Sequence, residues 1–230
     1  MTIKSNIRRL FLRLILPAAL LFFLLFAPAR VKAGNLSGKW LFIGDSYFAS
    51  TGKPKLPDLI ADGLGIPAKS RIMKCRIGYG VIRRDRQFIS LIRKMPVDNS
   101  VTNVLISGGI YNDRGCPRAK TEKAFSDLIK MIRKKCPKAV IWYTAGNWHA
   151  NWVRPKGKAI AEEYQNRIMK RLPYYRSACR ASKVRFLDMP VYALRAKNNK
   201  DLFAKDGHHP SLKGRKKLAA AIISSIKKYK

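Results

Sequence analysis

The chain has 230 residues, 48 of them Lys or Arg and 13 Asp or Glu, giving a formal net charge of +35. An apolar fraction of 47% is enough for a core, which excludes a disordered polycation, and a single long apolar run excludes a multi-pass membrane protein. So large a surplus of one sign repels itself in a compact fold, and its simplest use is attraction to a polyanion.

The first 33 residues hold Lys4, Arg8, Arg9, Arg13, Arg30 and Lys32 and no acid. Their apolar run, Leu14 to Ala29, is 16 residues long, short of the roughly 20 a spanning helix needs. A basic start, an apolar middle and Val31-Lys32-Ala33 read as an export signal cleaved after Ala33, with an uncleaved membrane anchor as the alternative. Arg8-Arg9 also fits a twin-arginine signal, but the Leu/Phe-rich middle favours the general secretory route. Removing the six basic residues leaves +29 on the domain 34–230.

Strands and helices then alternate. Lys39–Ile43, with Trp-Leu-Phe-Ile at its centre, reads as a buried strand, and Leu56–Leu64 as a helix ended by Gly65 and Pro67. Arg71–Cys75 is a second strand, and Asp85–Met95 has helical spacing. Asn103–Ser107 is a strand closed by Gly108-Gly109. Thr121–Lys135 is an amphipathic helix, and Ala139–Thr144 is a strand. Lys158–Ser182 has a helical pattern with a break expected at Pro173. Val184–Leu187 is a fifth strand, and Leu212–Lys228 is the closing helix. Such alternation implies a parallel sheet covered on both faces, with chemistry beyond the carboxyl ends of its strands.

The residues that follow those ends are Gly44-Asp45-Ser46, Gly78-Tyr79-Gly80, Gly108-Gly109-Ile110-Tyr111-Asn112-Asp113, Asn147-Trp148-His149 and Asp206-Gly207-His208-His209-Pro210. A hydroxyl, glycines, an amide, an acid and a histidine on one rim are the groups acyl transfer requires. A serine hydroxyl attacks only when a base takes its proton, and an Asp-x-x-His spacing lets the acid orient the ring.

These blocks, in this order, resemble the SGNH (GDSL-type) hydrolase family of esterases, lipases and carbohydrate deacetylases. The resemblance implies a three-layer α/β/α sandwich with a five-stranded parallel, flavodoxin-like sheet. It implies Ser46 as nucleophile, His209 as base and Asp206 as the acid that orients it. It further implies an oxyanion hole of Ser46, Gly78 (or Gly80) and Asn112, with no metal and no cofactor. Tyr47 stands where the family usually has leucine, and the asparagine block carries one extra residue. Tyr47, Tyr111, Trp148 and His208 are candidate substrate contacts.

All four cysteines lie in the exported part, and the strand order expected of this fold places Cys75 with Cys116 and Cys136 with Cys179 as candidate disulfides. The expected function is an exported serine hydrolase, secreted or in the cell envelope, that cleaves O-acetyl or other small acyl esters on a carbohydrate. The expected partners are an acetylated polysaccharide and an anionic cell-wall or extracellular polymer. Nucleic acid is not expected, and membrane contact is expected only through an uncleaved N-terminal segment. An acyltransferase on the same fold and a cationic polyanion-binding module are the alternatives.

Overall fold

The computed structural model describes residues 36–49, 52–82, 85–113, 115–145, 157–195 and 199–229, with the side chains of 157–162, 164 and 189 excepted. Five parallel strands, β1 (Lys39–Gly44), β2 (Arg71–Cys75), β3 (Val101–Ser107), β4 (Val140–Thr144) and β5 (Arg185–Phe186), form one sheet in the order β2-β1-β3-β4-β5. The sheet and its covering helices are those expected of the three-layer fold. The order reverses at β1, so β1 and β3 diverge from a crevice at their carboxyl ends, where doubly wound sheets bind ligands.

Seven α-helices are described: α1 (Ser46–Ala49), α2 (Leu56–Gly63), α3 (Phe88–Arg93), α4 (Arg118–Lys135), α5 (Gly157–Ala181), α6 (Met189–Tyr192) and α7 (Leu212–Lys227). Successive strand residues point to opposite faces, and β1 shows it. Leu41 and Ile43 pack against Phe88 of α3 and Phe125 of α4, whereas Trp40 and Phe42 pack against Ile60 of α2 and Ile222 of α7. Each layer therefore buries its apolar stripe on its own side of the sheet.

Helix α4 buries Thr121, Phe125, Leu128, Ile129 and Ile132, the spacing of one helix face. Its last turn carries Arg133, Lys134 and Lys135, where cations suit the negative end of the helix dipole. Helix α7 starts at Ser211, whose Oγ accepts the Gly214 N–H at 3.2 Å, an N-cap bond typically worth about 1 kcal/mol.

Several expectations need correction. Helix α5 runs unbroken through Pro173. Ile168, Leu172, Tyr175, Ala178 and Cys179 anchor one face of it in the core, and that packing outweighs the hydrogen bond a proline removes. Helices α1 and α6 and the 3₁₀ turns Ala68–Ser70 and Lys200–Leu202 carry no periodicity long enough to read. The cysteines are free thiols. Cys75 packs on the α2/α7 side, its Sγ 3.5 Å from Phe42 O. Cys116 lies on the other side, where its carbonyl accepts from Arg171 of α5. Cys136 and Cys179 are both buried in the α4/α5 core as thiols. The expected export segment, residues 1–33, lies outside the described residues, and none of the described helices is long and apolar enough to cross a membrane.

Candidate active site

Strand register aligns the rim. Gly44 pairs with Cys75 on one side and Ser107 on the other, and Ser107 pairs with Thr144. The loops leaving β1, β2 and β3 therefore start level, which is why Ser46, Gly78 and Asn112 come together from positions 32 and 34 residues apart in sequence.

Asp45 organises this meeting point. It is 1% exposed. Its Oδ1 accepts the Tyr47 N–H at 3.0 Å and its Oδ2 accepts the Gly109 N–H at 2.9 Å. Gly108 has φ +91°, and a Cβ there would overlap the Asp45 carboxylate, so both conformation and space require glycine. Burial pushes the Asp45 carboxyl up to about 6, against the pull of the Gly109 and Tyr47 N–H groups.

A raised folded-state value means that Asp45's contribution is full below about pH 4 and is lost as pH rises through about 6, by about 3 kcal/mol in order of magnitude. Asp45→Asn, which cannot ionise, should therefore gain stability relative to wild type between pH 4 and pH 7.5. Thermal melts of both proteins across that range measure it; a constant difference in Tm contradicts it.

Asn112 Nδ2 donates to Tyr79 O at 2.7 Å and lies 3.4 Å from Asp45 Oδ2. The first bond consumes one amide proton. The second contact is long, and Asp45 accepts shorter bonds from the Tyr47 and Gly109 N–H groups, so the other amide proton is the less firmly held of the two. Gly80 N–H donates to Arg86 O at 2.9 Å and is spent. The N–H groups of Gly78 and Ser46 have no acceptor among the described residues. Of the two candidate glycines, Gly78 is thus the one whose N–H is left open to an incoming oxygen.

Asp206 holds the histidine loop. Its Oδ1 accepts the N–H groups of His208 and His209 at 2.8 and 2.9 Å, and its Oδ2 sits 2.7 Å from His209 Nδ1. Gly207, at φ +68°, makes the tight turn that lets both N–H groups reach one oxygen. Partial burial pushes the Asp206 carboxyl up, but the His209 ring and the two N–H groups outweigh it and hold it below its ordinary value. An anionic Asp206 fixes the proton on Nδ1 and leaves the lone pair on Nε2, the tautomer a general base needs.

Ser46, Asp206 and His209 line one cavity of about 300 Å³, together with Gly52, Ile77, Ala204, Pro210, Ser211 and Arg215. Ser46 Oγ makes no hydrogen bond to His209 among the described residues; such bonds are commonly long in unliganded sites and tighten around substrate.

Tyr47 is not a substrate contact. It is fully buried, and its hydroxyl donates to His208 O at 2.8 Å, so it ties the serine turn to the histidine loop. The His208 ring lies 4.5 Å from Tyr111 and 4.7 Å from His209, and both His208 and Tyr111 are half-buried. Trp148, with Asn147 and His149, lies outside the described residues. No cluster of three metal-ligating side chains occurs among the described residues.

Two further residues matter. Asp113 is fully buried and accepts the N–H groups of Val81 and Ile82 at 2.9 and 3.0 Å and the Tyr175 hydroxyl. It fastens the loop after β2 to the loop after β3, so Gly78 and Asn112 keep a fixed relation. Arg215, at the start of α7, forms part of the cavity wall. In the sequence Asp113 is one more turn acid, and Arg215 is one cation among many.

Residues 42–217 match the GDSL-like Lipase/Acylhydrolase family. Among solved structures, a lipase/acylhydrolase from Enterococcus faecalis aligns with TM-score 0.62 at 18% identity, covering 84% of this chain and 96% of that one. A GDSL-like lipase from Bacteroides thetaiotaomicron aligns with TM-score 0.58 at 18% identity, covering 83% and 88%. A phospholipase A1 from Streptomyces albidoflavus aligns with TM-score 0.56 at 11% identity, covering 84% and 100%. No curated protein matches the chain in sequence.

Proposed function

The chain belongs to the GDSL-like lipase/acylhydrolase family, and from that premise we propose an exported serine esterase that removes small acyl groups, O-acetyl foremost, from an anionic polysaccharide. The observation that carries the chemistry is the Asp206–His209 pair, 2.7 Å apart, on the wall of the cavity that Ser46 also lines. In this reading His209 Nε2 takes the Ser46 proton as Oγ attacks the ester carbonyl. The developing oxyanion is met by the N–H groups of Ser46 and Gly78 and by Asn112 Nδ2, each donor typically worth roughly 10²–10³ in rate. His209 then protonates the departing alcohol, and water, activated by the same ring, releases the acyl group from Ser46.

Two observations support the finer parts, and a third concerns the nucleophile. The +29 charge of residues 34–230 favours a polyanionic substrate. The composition of residues 1–33 favours export to the cell envelope or beyond. Burial pushes the Cys75 thiol beside Asp45 up to about 12, so it stays protonated and does not compete with Ser46.

Acetate release from an O-acetylated polyuronate and from O-acetylated xylan, matched in acetyl content, tests the substrate class. The polyuronate should be the faster substrate at 20 mM salt, and the part of its advantage that comes from long-range attraction to the basic surface should be gone at 0.5 M, where the screening length drops to roughly 4 Å. Equal rates at both salt concentrations contradict an anionic substrate.

A further inference from the structure

Arg215 is 7% exposed, yet among the described residues no carboxylate pairs with it. Its Nη1 donates to Gly52 O at 2.8 Å, and its Nε is buried with no hydrogen-bond partner among the described residues. The guanidinium rests in the space Gly52 leaves open: a Cβ on Gly52 would lie 2.6 Å from Nη2 and 2.8 Å from Cζ and would overlap Nη1. The wall it occupies also carries Ser46 and His209.

A buried cation without a counter-charge is costly. Its position in α7 adds to the cost, because the first turn of a helix favours anions and this one has no acid. Lys213 next to it is neutralised by Asp201; Arg215 is not. An anion arriving in the cavity would relieve both penalties at once.

We propose that Arg215 recognises a carboxylate on the alcohol half of the ester, the group an acidic sugar would present. The alcohol is the half concerned because its oxygen must receive the proton from His209, and Arg215 shares the wall of His209, Pro210 and Ser211. The planar fork of the guanidinium suits a carboxylate, and most of its five N–H donors are uncommitted. The proposal rests on the esterase reading above and deepens it. It differs from the general charge argument in naming one buried side chain, where screening by salt is weak.

The test compares kcat/KM for 4-acetoxybenzoate and for its neutral analogue 4-acetoxybenzamide at 0.15 M salt, in wild type, Arg215→Gln and Gly52→Ala. The ratio of anionic to neutral substrate cancels any general loss of folded enzyme, and comparing that ratio between wild type and variant removes the long-range pull of the basic surface, which both share. Arg215→Gln should lower that ratio roughly tenfold to hundredfold, the range for losing a charged hydrogen bond. Gly52→Ala keeps the charge but displaces the guanidinium, so it should lower the ratio in the same direction. It carries the test if Arg215→Gln fails to fold. An unchanged ratio in the folded variants overturns the role of Arg215 and leaves the esterase reading standing. Failure of wild type to hydrolyse either ester overturns both.

Discussion

Ser46→Ala should lower kcat/KM for p-nitrophenyl acetate by roughly 10⁴- to 10⁶-fold, leaving a residue of activity from the oxyanion donors and binding alone. The substitution removes the only atom proposed to bond the acyl group, and it disturbs little else. Ser46 makes no side-chain hydrogen bond among the described residues, and the Asp45 bonds that hold the turn go to the N–H groups of Tyr47 and Gly109. The melting temperature should therefore stay within a few degrees of wild type. Because nucleophile and base act as a unit, Ser46→Ala/His209→Ala should be no worse than either single variant.

Asp206→Asn should cost roughly 10³- to 10⁴-fold, almost all of it in kcat. Oδ1, which accepts the His208 and His209 N–H groups, survives as the amide oxygen, so the loop keeps its shape. The atom facing His209 Nδ1 changes from an acceptor to an N–H donor. The ring then turns its lone pair to Nδ1 and its proton to Nε2, where it can no longer accept the proton of Ser46. A loss in KM with kcat retained would contradict an orienting role and favour one in substrate binding.

The fold was largely legible because its strands carry near-continuous apolar runs. Trp40-Leu41-Phe42-Ile43 is buried on both faces, and burial on both faces is the mark of a parallel sheet. The blocks proposed to be catalytic stood out in the sequence because each lies within a few residues of a strand end, or within one local turn such as Asp206–His209. What escaped depends on distant contacts. Asp113 is a clamp only because Tyr175, on α5, reaches it from 62 positions away. Arg215 stands in Lys213-Gly214-Arg215-Lys216-Lys217, where every residue but the glycine looks like a solvated cation. It is buried because α7 starts with its first turn packed under the loop that carries Pro210, so tightly that a Cβ on Gly214 would overlap the carbonyl of Leu202.

Tyr47 shows the same limit from the other side. A tyrosine beside a nucleophile suggests a substrate contact, yet its hydroxyl is used on His208 O, 161 positions away in sequence. The cysteine pairing failed for a related reason: two thiols near one rim can still lie on opposite faces of the sheet, as Cys75 and Cys116 do.

Whether Ser46 is a nucleophile driven by the Asp206–His209 pair can be read by mass spectrometry of the protein after exposure to a p-nitrophenyl alkylphosphonate. One covalent phosphonyl group per chain is expected, on the peptide containing Ser46, absent from Ser46→Ala and formed orders of magnitude more slowly in His209→Ala. Labelling at another residue, or equal labelling of wild type and His209→Ala, would contradict it.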